Sequence, residues 1–148
     1  MVIRAYTEKD WEEVCHVFDR AKPDEMRGSC DLKAIRPLKA DKELIRSFHE
    51  SKIFVAEEDG RVVGFAGYHN TLISWLFVAP QYYRQGIGRR LLNWILTDVG
   101  ETAYLNVAKY NEPAKRLYYS EGFKVVEEFT GQYNGYEAHA LKLVFFRA

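Results

Sequence analysis

The sequence is poor in cysteine, balanced in charge and free of long apolar runs, and each of these absences excludes a class of protein. Its two cysteines, Cys15 and Cys30, are too few for a disulfide-stabilised scaffold. Lysine plus arginine and aspartate plus glutamate both number 21, so no whole-chain field favours nucleic acid or an anionic membrane. No apolar stretch approaches the roughly 20 residues that span a bilayer. We therefore expect neither a nucleic-acid partner nor a membrane partner.

The composition that is present favours a folded domain with a substantial core. Hydrophobic residues make up 47% of the sequence and aromatic residues 15%, which argues against disorder. A length of 148 residues suits one domain, and we predict that residues 1–148 form one. The first eight residues become polar and charged too early for a signal peptide. We therefore expect a cytoplasmic protein with reduced thiols.

The first part of the chain predicts a strand, two helices and a long loop. Residues 2–6 are a candidate strand, and Thr7 is a candidate cap for a helix with apolar residues at helical spacing. Residues 22–40 contain two prolines and a glycine and show no sustained period, so we predict a long loop with room for a short helical turn. Apolar residues up to Phe48 predict a second helix.

The remaining elements predict an α/β domain. Strands at residues 53–56, 61–68 and 72–78 form an antiparallel meander. A helix then runs from about Gly86 to Gly100. A short strand, a further helix and two closing strands follow. This order of elements is typical of an α/β domain with a mixed sheet.

A loop with two glycines precedes the third predicted helix and has the features of an anion site. Gly86 and Gly88 let the backbone turn sharply and approach a ligand closely. Successive N–H groups at the start of a helix, together with the helix dipole, attract an anion. Arg84, Arg89 and Arg90 add positive charge at the same place. A pyrophosphate is a ligand that uses all of these features.

Two common nucleotide-binding loops do not match this sequence. A Walker loop ends in Gly-Lys-Ser or Gly-Lys-Thr, which is missing here. A dinucleotide-binding loop needs a third glycine, and Leu91 occupies that position. The loop therefore predicts a phosphate site of another kind.

Two blocks of the sequence resemble the GNAT acetyltransferase superfamily. The glycine loop and its flanks are similar to the superfamily's acetyl-CoA loop, and a downstream block is similar to its second signature, in the same order and spacing. The order of elements also matches over nearly the whole chain. The matching residues are VAPQYYRQGIGRRLL at 78–92, LNV at 105–107, NEPA at 111–114 and LYYSEGF at 117–123.

The resemblance implies a mixed, mostly antiparallel sheet flanked by about four helices, with two splayed central strands. The strand ending near Val78 and the strand carrying Asn106 would diverge, and the pantetheine arm of acetyl-CoA would lie between them. No metal is expected. The acceptor amine would attack directly while both substrates are bound. The residues implied in cofactor binding are Leu76, Phe77, Val78, Arg84, Gln85, Gly86, Ile87, Gly88, Arg89 and Asn111.

Tyr118 is the residue implied in catalysis. It lies four residues before Gly122 and matches the superfamily tyrosine whose hydroxyl reaches the CoA sulfur. The resemblance implies that Tyr118 is the general acid for the departing thiolate. Tyr119 is adjacent, but the spacing of the second block favours Tyr118.

Two positions depart from the superfamily pattern. Tyr83 stands where the loop often has arginine or glutamine. Asn106 stands where the branch that acetylates ribosomal-protein N-termini has a glutamate base, and an amide does not accept a proton at neutral pH. The base is therefore left open among an ordered water, His69 and a carboxylate that the sequence does not identify.

The leading hypothesis is an enzyme that moves an acetyl group from acetyl-CoA to a primary amine, and the loss of a carboxylate at Asn106 favours a small molecule. One alternative is a protein or peptide N-terminal acetyltransferase, whose acceptor groove would lie between residues 22–40 and the final hairpin near residues 131–136. Another is a non-catalytic acetyl-CoA sensor. The aromatic residues of the last strands are also compatible with a dimer interface, so a homodimer is a further hypothesis.

Overall fold

The computed structural model describes residues 1–147 and contains one seven-stranded sheet with helices on both faces. None of its helices within that range is long and apolar enough to cross a membrane. Short 3-10 turns connect some of the elements. The strands are β1 (Val2–Ala5), β2 (Lys52–Glu58), β3 (Arg61–His69), β4 (Leu72–Val78), β5 (Thr102–Ala108), β6 (Lys124–Tyr133) and β7 (Tyr136–Phe146), and the helices are α1 (Trp11–Met26), α2 (Lys42–Glu50), α3 (Ile87–Val99) and α4 (Glu112–Ser120).

The sheet divides at its centre. Its strand order is β1-β2-β3-β4-β5-β7-β6, and all neighbours are antiparallel except β4 and β5. Those two parallel strands pair at one position, Leu72 with Tyr104, and the Tyr104 amide donates to the Thr71 carbonyl at 2.9 Å. The rest of β4 and β5 diverge. The predicted mixed sheet with splayed central strands and four helices is confirmed.

Each face of the sheet carries its own apolar core. Helix α1 and Phe48 of α2 pack on one face, against residues such as Trp75 and Phe77 of β4. Helix α3, Tyr118 of α4 and Phe123 pack on the other face. Residues that alternate along a strand point to opposite faces, so the central strands contribute to both cores.

A bulge interrupts this alternation on β4. Gly67 of β3 pairs with Trp75, whereas the next residue, Tyr68, pairs with Ile73, so Ser74 is the extra residue. Ile73 consequently packs in the α3 core although Trp75, two residues away, packs in the α1 core. A bulge of this kind locally re-aims side chains and bends a strand. Here it lies where β4 leaves β5.

The prediction of a loop over all of residues 22–40 is wrong at its beginning, because α1 continues through Pro23 to Met26. A proline inside a helix costs a hydrogen bond and about 3 kcal/mol. Ala21 and Met26 lie on either side of Pro23 and are both buried in the core. Their burial offsets that cost, so tertiary packing outweighs the local signal. The loop begins at Arg27 and contains two 3-10 turns.

Candidate active site

A cleft of about 680 Å³ occupies the gap between β4 and β5. It runs from the glycine loop before α3, past the diverging strands, to the last turn of α1. Five elements (α1, β4, α3, β5 and α4) and the glycine loop therefore meet around it. Its lining consists of Ala21, Asp24, Glu25 and Arg27; residues 73–78; Tyr82, Tyr83, Arg84, Gly86, Ile87, Gly88 and Arg89; residues 105–108; and Tyr110, Asn111, Pro113, Ala114, Leu117 and Tyr118.

The glycine loop has a backbone that curls around an open space. Arg84 and Gly86 both have positive φ, of 64° and 81°. Gly86 immediately precedes α3, and a Cβ built on it would meet no atom within 4 Å. The first hydrogen bond of α3 runs from the Arg90 amide to the Gly86 carbonyl at 3.1 Å. The amides of Ile87, Gly88 and Arg89 precede it and have no intrahelical acceptor, so they are available to an anion.

The structure brings nine of the ten sequence-predicted cofactor residues, together with Tyr118, to this cleft. The exception is Gln85, which is exposed and does not line it. Arg89 also bonds to α4, through Ser120 Oγ at 2.9 Å and the Glu121 carboxylate, so it links α3 and α4. The roles of these residues toward a cofactor stay predictions.

Tyr118 reaches the gap from α4 and is 8% exposed. Its ring packs on Phe123, with the ring centroids 5.6 Å apart. Burial raises the pKa of the Tyr118 hydroxyl above its usual value, and the negative charge of Glu25 raises it further. The hydroxyl therefore keeps its proton over the physiological pH range, as a general acid must.

Asn111 and Asn106 also lie along the cleft. The Asn111 side chain caps α4 by accepting from the Ala114 amide at 3.3 Å. Asn106 lies on β5 and pairs in register with Lys142 of β7. His69, one of the candidate bases, does not line the cleft; its Nδ1 lies 2.9 Å from the Glu50 carbonyl oxygen.

Sequence reasoning missed the residues that α1 contributes. Asp24 and Glu25 belong to the last turn of α1, and both line the cleft. They were missed because Pro23 precedes them, and a proline usually signals the end of a helix.

Sequence reasoning also missed the bulge at Ser74. Gly67 was a signal for it, since glycine inside a strand often marks a bulge or a close approach. A Cβ on Gly67 would lie 2.3 Å from Ile53 Cδ1.

Specific polar contacts hold this end of α1. Lys22 Nζ donates to Glu25 Oε1 at 2.7 Å, and Arg27 Nη1 donates to Asp24 Oδ1 at 2.8 Å. The Tyr83 hydroxyl donates to Asp24 Oδ2 at 3.1 Å, so the glycine loop and α1 are joined. Burial, followed by the charge and hydrogen bond of Asp24, raises the pKa of Tyr83 above its usual value.

The α1–α2 loop is attached to the final hairpin. Asn134 Nδ2 donates to the Ala34 carbonyl at 2.7 Å and to Asp41 Oδ2 at 3.1 Å. Cys30 and Ala138 form an isolated β-bridge, and the His139 amide donates to the Ser29 carbonyl at 2.9 Å. These contacts tie the α1–α2 loop to the final hairpin.

Within residues 1–147, no group of three or more histidine, cysteine, aspartate or glutamate side chains is placed to hold a metal ion. Both thiols are free, and Cys15 is buried in the core as expected for an unreactive cysteine. Burial raises the pKa of the Cys15 thiol to about 11.

Comparison with known proteins gives the same fold and family. In solved structures, the chain superposes on a GCN5-related N-acetyltransferase from Rhodopseudomonas palustris with a TM-score of 0.86, at 16% identity and over 98% of this chain and 94% of that one. It also superposes on yncA, a putative acetyltransferase from Salmonella typhimurium solved with its cofactor acetyl-CoA, with a TM-score of 0.76, at 19% identity and over 100% and 94% of the chains. These similarities establish the fold.

Two curated relatives are similar in sequence. The peptidyl-lysine N-acetyltransferase YiaC of Escherichia coli (strain K12) is 33% identical over 75 residues, which are 50% of this chain and 51% of the relative. The match thus spans about half the length of that relative. An N-alpha-acetyltransferase of Sulfurisphaera tokodaii is 34% identical over 115 residues, covering 63% of this chain and 69% of the relative. The model of the acetyltransferase (GNAT) domain matches residues 49–125, more than half of the chain. The chain therefore belongs to the GNAT acetyltransferase family.

Proposed function

We propose that this protein is an N-acetyltransferase that moves an acetyl group from acetyl-CoA to a primary amine while both substrates are bound. The observation that carries the proposal is the gap between β4 and β5. One end of the gap carries the free amides of the glycine loop, and the buried Tyr118 lies along it. Family membership supports the same reaction.

The cleft fits acetyl-CoA at two places. The open space at Gly86, which any side chain would enter, accommodates a pyrophosphate against the amides of Ile87, Gly88 and Arg89. The edge of β4 beyond Leu72 has no strand partner on the β5 side, so its backbone groups are free to pair with an extended amide-containing arm. Acetyl-CoA supplies the thioester when it is bound.

The residues of this chain supply positioning and proton transfer. Tyr118 donates its proton to the sulfur as the carbon–sulfur bond breaks. An amide of β4 near its bulge stabilises the oxyanion that develops on the carbonyl oxygen. The walls of the cleft hold the two reactants together, and this proximity accounts for much of the rate.

We propose a small-molecule amine as the acceptor. The contacts of Asn134 with Ala34 and Asp41 support this choice, because they close the region between the α1–α2 loop and the final hairpin. A small amine needs no extended groove there.

A peptide or protein acceptor is the second candidate. Its support is the sequence similarity to a peptidyl-lysine N-acetyltransferase and to an N-alpha-acetyltransferase. A lysine side chain is a narrow primary amine, and its stem requires less space than an extended backbone. Asn106, an amide in the cleft, gives no base of the kind found in the branch that acetylates ribosomal-protein N-termini.

The test is release of free CoA thiol from acetyl-CoA in the presence of single acceptors. The panel contains aliphatic amines and polyamines, amino acids, a lysine-containing peptide blocked at its N-terminus, and peptides with free N-termini. Turnover on small amines with little on peptides is the expected result. Preference for the blocked peptide would favour the lysine acetyltransferase. Binding of acetyl-CoA with no turnover on any amine would overturn the proposed activity and favour a sensor.

A further inference from the structure

Glu25 and Tyr118 approach the gap from opposite faces of the sheet. Helix α1, which carries Glu25, packs on the face that contains Trp75 and Phe77. Tyr118 belongs to the core on the other face. Both side chains line the same cleft where β4 and β5 diverge. A group held in the gap therefore has a phenol on one side and a carboxylate on the other.

The Glu25 carboxylate is held in place by Lys22. Lys22 Nζ donates to Glu25 Oε1 at 2.7 Å, and the Lys22 side chain is 11% exposed. The Lys22 ammonium lies 5.7 Å from the ring centroid of Phe18, 5.5 Å from that of Phe77 and 5.1 Å from that of Tyr133. These cation–π contacts restrict the position of the Lys22 ammonium and, through its hydrogen bond, the position of the Glu25 carboxylate. The Glu25 side chain itself is 28% exposed, so a ligand can reach it.

Glu25 rather than Asp24 has capacity for a new partner. Both oxygens of Asp24 are engaged, Oδ1 by Arg27 and Oδ2 by Tyr83. The contact with Lys22 engages Oε1 of Glu25. Among residues 1–147, no hydrogen bond engages Oε2 of Glu25, so Glu25, unlike Asp24, has a whole oxygen for a further N–H donor.

The electric field of Glu25 extends over this end of the cleft. Its negative charge contributes, after burial, to the raised pKa values of Tyr118, Tyr83 and Tyr133. The charge of Glu25 attracts a cation held between these residues, against the opposing charges of Lys22 and Arg27. The charged and titratable groups that face Glu25 here are Lys22, Asp24, Arg27, Tyr83, Tyr118 and Tyr133.

We propose that Glu25 binds the ammonium group of the acceptor and takes its protons, which makes the acceptor a cationic aliphatic amine. The role of Glu25 as a base rests on the proposed acetyl transfer, whereas its role in binding the ammonium group does not. Glu25 is then the base that the sequence left unidentified.

An acceptor that arrives as R–NH3⁺ loses two protons as the amide forms. Glu25 takes one proton and passes it to solvent, which leaves the neutral amine. The nitrogen lone pair forms a bond to the acetyl carbon, and the carbonyl electrons move to oxygen. Glu25 takes the second proton from nitrogen. The electrons on oxygen re-form the carbonyl, and the carbon–sulfur bond breaks as Tyr118 protonates the sulfur. The proton on Glu25 then returns to Tyr118 through water, so one proton is released per amide formed.

The first experiment measures ligand binding and does not depend on turnover. NMR titrations of the full chain, with and without CoA, use n-butylammonium and the neutral 1-butanol as probes. Glu25→Gln is expected to weaken binding of butylammonium about tenfold or more and to leave butanol unchanged. Glu12→Gln is the matched control, because Glu12 lies on the same helix, is exposed and does not line the cleft. Equal butylammonium affinity in Glu25→Gln and wild type would overturn the inference.

The second experiment measures kinetics on an amine that the wild type acetylates. Glu25→Gln is expected to lower kcat/KM about 100-fold or more and to move the acidic limb of its pH profile toward the ionisation of the free amine, while acetyl-CoA affinity stays unchanged. Glu25→Asp should recover part of the rate. A wild-type pH profile in Glu25→Gln would refute Glu25 as the base. A wild type without turnover would refute the proposed acetyl transfer, and the butylammonium titration would still decide the ammonium site.

Discussion

The Tyr83 hydroxyl donates a hydrogen bond of 3.1 Å to Asp24 Oδ2 and so joins the glycine loop to the end of α1. Tyr83 is the position at which this loop departs from the superfamily pattern. The proposed cofactor end and the proposed acceptor end of the cleft thus share a direct contact.

Tyr83→Phe removes this contact and keeps the ring. We expect acetyl-CoA affinity to fall by about two- to fivefold, because one hydrogen bond to a charged group that restrains the loop is lost. Isothermal titration calorimetry measures the change. Asp24→Asn and the double variant complete a double-mutant cycle. Additive effects of the two substitutions would show that the contact does not support the loop.

Gly86→Ala tests the glycine loop against a matched glycine at the other end of α3. Gly86 and Gly100 have φ of 81° and 113°, and a Cβ on either meets no atom within 4 Å. Both substitutions should cost about 1–3 kcal/mol of unfolding free energy, because they strain the backbone. Only Gly86→Ala should also weaken acetyl-CoA binding, by about tenfold or more, since the methyl group enters the proposed pyrophosphate space. Equal affinities in the two variants would remove the loop from the cofactor site.

Tyr118→Phe removes the proposed general acid and keeps the packing of the ring on Phe123. We expect kcat to fall about 100-fold or more, with acetyl-CoA affinity nearly unchanged. Tyr119→Phe, on the neighbouring exposed residue, is the control and should behave as the wild type. A wild-type kcat in Tyr118→Phe would exclude Tyr118 from proton transfer.

The pH dependence follows from the raised pKa of Tyr118. A general acid acts in its protonated form, and an ordinary tyrosine loses its proton near pH 10. Because the pKa of Tyr118 is raised, its acid form persists above that pH. Wild-type kcat should therefore show no decline from Tyr118 ionisation between pH 8 and pH 10. A decline that Tyr118→Phe abolishes would contradict this expectation.

Asn134→Gly tests whether closure of the α1–α2 loop sets the size of the acceptor. Asn134 has φ of 49°, which glycine adopts readily, so the variant removes the side-chain contacts without straining the turn. We expect a loss of about 1–2 kcal/mol of unfolding free energy. We also expect higher kcat/KM for a lysine-containing peptide relative to a small amine.

Asn70→Gly is the control for this experiment. Asn70 also has positive φ, 55°, and lies in the turn between β3 and β4, away from the closure. It should change neither stability nor acceptor preference appreciably. An unchanged acceptor preference in Asn134→Gly would show that the closure does not select the substrate.

Local sequence signals determined the order of elements and most of the cleft. The glycine loop, the Asn111 cap and the amphipathic helices depend on interactions within a few residues, so their patterns are readable along the chain. The same signals failed at Pro23, where burial of Ala21 and Met26 outweighs the local cost of a proline in α1.

Only the tertiary structure decided what stands opposite Tyr118. Glu25 and Tyr118 lie 93 positions apart in the sequence, on different faces of the sheet, and no local pattern relates them. The closure between Asn134 and the α1–α2 loop likewise arises from pairing between distant segments. The sequence by itself determined the family and the glycine loop, because those depend on contiguous residues. The arrangement of Glu25 and Tyr118 around the gap depends on how the chain packs across the divided sheet, and the structure alone shows it.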